Sequence, residues 1–176
     1  MSCVLTDSSP LSLDMNTINK HLSLSEEKRK VTVTQQQQPY PNHAERFTKW
    51  QVLCTEGLSE RCYWEVECSG HTALIAVCYK DISRQTLFGN NDKSWCLECS
   101  GKNYSFIHNS VVTKVSGPFS SRVGVYLDHK AGTLSFYSVS DTMTLLHTVQ
   151  TTFTQPLYPG IRLWYYGDTA ELCKTW

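Results

Sequence analysis

Between Arg122 and Val139 the chain alternates apolar and polar residues twice, with a short turn-forming stretch between the two runs. In the first run Val123, Val125 and Leu127 fall on one face, and Gly124, Tyr126 and Asp128 on the other. In the second, Leu134 and Phe136 alternate with Ser135 and Tyr137. Period-two alternation rich in valine and aromatics is a strand pattern. The connector Asp128-His129-Lys130-Ala131-Gly132 has hairpin length, a glycine able to take positive φ and an aspartate able to hold the turn. Two antiparallel strands with one apolar face each need a second layer to cover that face, and this requirement governs everything else in the chain.

The rest supplies that layer. Leu22-Ser23-Leu24 and Val31-Thr32-Val33-Thr34 predict a hairpin around the charged turn Ser25 to Lys30. Val52-Leu53-Cys54 predicts another short strand. From Cys62 onward, strand patterns recur every ~8–14 residues, the rhythm of a β-sandwich. They cover Tyr63 to Cys68, Ala73 to Tyr79, Trp95 to Cys99, Tyr104 to His108, Val111 to Val115, Leu145 to Val149, Tyr158 to Trp164 and Ala170 to Cys173. Ala73 to Tyr79 is apolar on both faces, as a strand covered on both sides must be. Asp14 predicts a cap for a short helical turn through Thr17 to Lys20. No amphipathic pattern of helical length appears, so the fold class is all-β. Trp64, Val66, Val125, Leu127, Leu134 and Phe136 are expected in the core.

At 176 residues the chain is one domain able to bury a core of its own. Residues 1–10 read as a linker or frayed end. The net charge of zero gives no reason to expect nucleic-acid or membrane-surface binding. The dense basic run Lys28-Arg29-Lys30 follows Glu26-Glu27 and reads as a solvated turn. There is no stretch of ~18 apolar residues and no signal-peptide pattern at the N-terminus, so a cytoplasmic location is expected. Cys68, Cys78 and Cys99 sit inside apolar strand patterns, which argues for reduced thiols and against a disulfide framework among the eight cysteines.

Catalytic and metal chemistry find little purchase. Cys96-Leu97-Glu98-Cys99 has zinc-like spacing, but in a strand positions i and i+3 point to opposite faces, so the two sulfurs cannot share one tetrahedral ion. Cys68-x-x-His71 would offer a second half-site, but it has no first half to join. There is no G-x-S-x-G elbow, and Asp128-His129 sits in a hairpin tip. Glu65 and Glu67 share one strand face, a pairing known from sugar-cleaving sandwiches, yet they alternate with Trp64 and Val66 as ordinary outward polar residues would. No phosphate loop is present and no cofactor or metal is expected.

Four stretches carry a resemblance in order and spacing: Leu11 to Asp14 with Leu22 to Glu26, then Tyr63-Trp64-Glu65-Val66-Glu67, then L-D-x-x-A-G-T-L-S-F-Y from Leu127, then Pro156-Leu157-Tyr158-Pro159-Gly160. Together they resemble the PRY-SPRY domain family over nearly the whole chain. Met15 stands where the family usually has Pro, and His129-Lys130 replaces a usual Tyr-Glu, both loop changes. The resemblance implies a two-sheet antiparallel β-sandwich of the SPRY type, a concanavalin-like jelly roll. The PRY part would span residues 11–55 and the SPRY part residues 56–176. It also implies a non-catalytic module that binds a protein or peptide through loops and an open sheet face, as in tripartite-motif ubiquitin ligases, butyrophilins and NOD-like immune proteins. Further domains of a longer parent protein are compatible with this.

The resemblance places pocket residues near Leu74, Glu98 and Ser100. Strand parity agrees for two of them: Trp95, Leu97 and Cys99 share the apolar face, which turns Glu98 and Ser100 outward. Tyr40, Phe88 and Tyr158, in or beside loops, are candidate aromatic anchors for a partner. Two rival readings remain: a glycan-binding lectin using Asn90-Asn91-Asp92 with Phe88, and a glycosidase using Glu65 and Glu67.

Overall fold

The computed structural model describes Ser2–Cys3 and residues 11–173 as two facing sheets. One sheet runs, edge to edge, β12 (Met143–Gln150), β11 (Thr133–Val139), β10 (Arg122–Asp128), β5 (Arg61–Ser69), β14 (Thr169–Leu172), β3 (Lys30–Val33) and β2 (Leu22–Ser25), with β1 (Ser2–Cys3) beside β5. The other runs β4 (Gln51–Leu53), β13 (Tyr158–Leu163), β6 (Thr72–Cys78), β7 (Ser94–Ser100), β8 (Asn103–His108) and β9 (Val111–Val115). Neighbours pair antiparallel except β1 with β5. The Arg122–Val139 hairpin forms as its pattern requires, with Val125 opposite Phe136 and Gly132 at φ 75°.

Two expectations need correction. The helical turn near Asp14 is a single hydrogen-bonded turn and not a helix through Lys20. Asp14 C=O accepts from Thr17 and Ile18 N–H, and its carboxylate accepts from Asn16 N–H. The chain then leaves the turn because Asn19 N–H donates to Gln51 C=O, tying the segment to β4. Within the expected linker, Ser2–Cys3 pairs with Arg61 and Cys62, while the remaining linker positions lie outside the described residues. The pairing has a local cause: β14 reaches β5 only from Ser69 to Val66, which leaves the first half of β5 open on that side.

All six expected core residues are buried between the sheets, where Trp64, Val125 and Phe136 face Ile75, Trp95, Leu97 and Phe106. A second, separate apolar cluster lies on the outer face of the six-stranded sheet. There Leu74, Ala76 and Cys78 of β6 and Cys96 of β7 meet Phe47, Ile82 and Phe88 from the loops. Central strand β6 is therefore covered on both sides, as its continuous apolar sequence demands.

Buried Gln51 fastens this covering loop. Its Oε1 accepts from Phe88 N–H at 2.8 Å and its Nε2 donates to Thr86 C=O at 3.0 Å. Gln51→Leu should cost about 1–3 kcal/mol, since the buried Phe88 N–H and the part-buried Thr86 C=O lose their partners. Denaturant midpoints check this, with faster proteolysis between residues 80 and 92 as the local signature.

His147 stacks on Phe106 with centroids 4.2 Å apart, and burial holds its pKa below the ordinary value. The unfolded chain then takes up this proton at a higher pH than the folded one. Stability is full above the unfolded value near 6.5 and is lost as pH falls toward the lower folded value. Thermal midpoints of His147→Gln should accordingly fall less than those of the parent between neutral and mildly acidic pH.

Candidate interaction surface

Strand register brings one row of side chains across the outer face of the six-stranded sheet. Arg162 of β13 lies opposite Leu74, Leu74 opposite Glu98, Glu98 opposite Ser105, and Ser105 opposite Lys114. The neighbouring row, Gly160, Ala76, Cys96 and Ile107, is roofed by the loop carrying Phe88. A Cβ on Gly160 would come within 2.9 Å of the Phe88 ring, so only glycine lets the roof close that far. The outer face is thus half covered and half open. Glu98, Ser100, Ser105 and Arg162 border the open half, with exposed Lys114 at its end.

The open half ends at an aromatic rim. After β13 the chain runs Trp164-Tyr165-Tyr166-Gly167-Asp168. Asp168 N–H donates to Tyr165 C=O to close a turn, and Gly167 takes φ 86°. Reciprocal bonds with β3 hold it: Gly167 N–H donates to Val33 C=O, and Val33 N–H to Asp168 C=O. The Asp168 carboxylate accepts from His71 N–H at 3.3 Å, so the β5–β6 turn is tied to the same point. Rigid backbone here presents exposed rings. Tyr165 is 51% and Tyr166 56% exposed, high values for side chains of this size. Tyr165 meets His71 edge-on at 5.3 Å, and Tyr166 leans on Trp50 at 5.4 Å.

Beside the rim is an open pocket of about 240 Å³ lined by Thr48, Lys49, Trp50, Leu87, Arg162, Leu163 and Trp164. The Arg162 guanidinium lies 3.8 Å above the Trp164 ring, a close cation–π contact. Burial lowers the pKa of Arg162, and Glu98 partly offsets that effect.

The sequence-expected site residues divide. Glu98 and Ser100 lie half-buried on the open face, as strand parity requires. Leu74 shares their face but is 1% exposed, flanked on its neighbouring strands by Arg162 and Glu98. Phe88 is also 1% exposed: it fills the second apolar cluster and meets Phe47 edge-on at 5.4 Å. Neither side chain is presented to a partner, because each is needed to keep water from the outer cluster. Tyr40 pins its own loop, its hydroxyl donating to Leu22 C=O at 2.8 Å while Arg46 sits over its ring. Tyr158 lies at the far end of β13, packed over Gly57 with Lys80 above its ring. Trp50, Arg162 and the Trp164–Tyr166 run were missed, although three successive aromatics before a Gly-Asp turn are a visible signal.

The residues of the rival readings are used structurally. Glu65 and Glu67 both bind Arg122, at 3.2 and 2.9 Å, and Tyr63 and Ser121 hydroxyls donate to them at 2.6 and 2.5 Å. Asn91 is consumed within its loop, donating to Leu87 C=O and accepting from Lys93 N–H and the Ser94 hydroxyl. With Phe88 buried, the proposed lectin cluster has no ring to offer a sugar. Asp128 and His129 bond away from each other, to Arg61 and to Gln155 C=O. Cys96 lies in the outer cluster and Cys99 packs against the inter-sheet core, so the two sulfurs face apart. Cys54, Cys68, Cys78, Cys96, Cys99 and Cys173 are free thiols, and burial pushes Cys68 up to about 12 and Cys173 to about 11.

Known proteins share this fold. The family model of the PRY, SPRY-associated domain matches residues 11–58, and that of the SPRY domain matches residues 61–175. The chain is 44% identical over 171 residues to stonustoxin subunit beta of Synanceia horrida, covering 92% of this chain and 24% of that protein. It is 37% identical to tripartite motif-containing protein 16 of Mus musculus, covering 87% of this chain and 29% of the relative. The chain therefore spans about a quarter of the length of the curated relatives it matches. Among solved structures, the TRIM65 PSpry domain superposes with a TM-score of 0.87 at 30% identity, covering 94% of this chain and 90% of that one. The chain belongs to the PRY-SPRY family of protein-interaction domains.

Proposed function

We propose that this domain recognises a protein or peptide target without catalysis, through the open half of the six-stranded sheet and the Trp164–Tyr166 rim. One observation carries the reading: two tyrosines more than half exposed stand on a backbone turn held to β3 and to the β5–β6 turn. Tyrosine and tryptophan dominate interface hot spots, and a ring already fixed in place loses little entropy on binding. The charged row of Arg162, Glu98 and Lys114 supplies a polar surround. Relatives that carry the domain include toxin subunits and E3 ubiquitin ligases, which favours a recognition unit transferable between parent proteins. In this protein we assign it to target recognition within a longer cytoplasmic protein of the ubiquitin-ligase or innate-immunity type.

The test is affinity capture from cytoplasmic extract with the folded domain, then repeat capture with Tyr166→Ala and Glu98→Lys. A specific partner should be retained by the parent and lost by about tenfold or more with Tyr166→Ala, the scale of a hot-spot residue. A partner insensitive to both variants but lost on Leu145→Ala, which alters exposed Leu145 of β12, would refute the assignment.

A further inference from the structure

We infer that the pocket between Lys49 and Arg162 takes an acidic side chain of the partner, so that the target is an Asp- or Glu-bearing peptide segment. This deepens the recognition reading above and rests on it. The pocket lining holds two cations, Lys49 and Arg162, two indoles, Trp50 and Trp164, and no carboxylate. Arg162 is half-buried and stacked on Trp164, yet none of the ion pairs or hydrogen bonds among the described residues involves its guanidinium. Five fork-like donors taken partly out of water with no acceptor are a costly arrangement, and a carboxylate matches them two at a time. Glu98, one strand beyond Leu74, acts on Arg162 through its charge but forms no ion pair with it among the described residues, so the guanidinium donors are left without a carboxylate.

The surroundings reinforce the choice. Exposed Lys49 is likewise outside every ion pair among the described residues. A second open pocket shares Thr48 with the first and is lined by Lys20, His21, His43 and Arg46, again with no carboxylate. Of these, Arg46 donates to the carbonyls of Met15, Ile18 and Pro41 and Lys20 to Asn42 Oδ1, all neutral acceptors, so both cations still extend the positive field. The nearby Glu45 carboxylate is paired to Lys80 at 3.9 Å. A segment lying from Arg162 toward Lys20 would thus meet only positive charge, over a floor of tryptophan that suits the methylenes of Glu or an adjoining apolar residue. A wholly apolar ligand would leave Arg162 desolvated and unpaired, which favours the acidic one.

Selection of random short peptides displayed on phage against the intact domain tests this. The winning peptides should carry Asp or Glu at one shared position. A synthetic winner should bind about tenfold more weakly after Arg162→Gln or Lys49→Glu, and amide replacement of its acidic residue should cost the same. Binding should also fall between about 0.05 and 0.5 M salt. Both variants are checked for folding by thermal midpoint, and Lys49, being exposed, guards against misfolding of the Arg162 variant. Winners lacking a shared acid, or acid-bearing winners indifferent to both variants, would overturn the inference. So would displacement by inorganic phosphate beyond that by chloride at equal ionic strength, which would assign the pocket to a free oxyanion. If the general recognition reading fails instead, Tyr166→Ala will leave the binding of every selected peptide unchanged.

Discussion

Trp64→Ala should destabilise the domain by about 3–5 kcal/mol, the usual range for deleting a large aromatic from a core. Trp64 is 2% exposed on β5 and sits opposite Val125 of β10, at the centre of the inter-sheet core. β5 is fixed around this position, held by β10 from Arg61 to Glu67 on one side and by β14 from Val66 to Ser69 on the other. The indole N–H adds a second, opposite effect. It is buried and has no hydrogen-bond partner among the described residues, so part of the favourable burial is offset by its lost hydration. Trp64→Phe removes that group together with some volume, and should cost far less than Trp64→Ala. Equilibrium urea unfolding of both variants measures the difference. Equal losses would mean that a phenyl ring does not pack in the space the indole fills, contradicting the assignment of the cost to lost volume.

Gly132→Ala should cost about 3 kcal/mol or more, although it adds only one methyl, because Gly132 is buried at the hairpin tip. Gly132 has φ 75°, a region that L-residues enter at a cost, and an added Cβ would lie 1.7 Å from Thr151 C=O. That neighbour is backbone and cannot swing away. Gly132 C=O also accepts from Thr151 N–H at 2.8 Å, so the collision opens a cross-link between the hairpin and the end of β12. Gly101 is the matching control: its φ is 59°, but nothing lies within 4 Å of the Cβ position. Gly101→Ala, which meets the strain of that φ without any collision, should cost only about 1–2 kcal/mol. The contrast between the two sites separates backbone strain from steric collision in thermal unfolding.

Strand content and core faces were legible because they rest on period-two alternation, a local property. The parity of Trp95 to Ser100 correctly put Leu97 inside and Glu98 outside. What parity cannot supply is whether an outward face meets water or a loop. Leu74 and Phe88 were misplaced for that reason: the roof over β6 and β7 depends on Gln51 reaching the backbone of residues 86 and 88, a contact 35 to 37 positions apart in sequence. The helical turn at Asp14 failed similarly, since Asn19 is captured by Gln51 from a distant segment. Tyr40 and Tyr158 illustrate the ambiguity of loop aromatics, which can anchor a partner or their own loop. Tyr165 and Tyr166 show the converse, for their exposure follows from the Gly167 turn and its bonds to β3.

Hydrogen–deuterium exchange of the domain, free and bound to its captured partner, tests the recognition surface most directly. The account predicts slowed exchange at Thr48 to Trp50, at the Gly70–Thr72 turn and at Tyr165 to Gly167, whose amides border the aromatic rim and pocket. It predicts no change at the Asp128–Gly132 hairpin tip or along β12. Protection confined to those last two regions, with the rim exchanging as in the free domain, would contradict it.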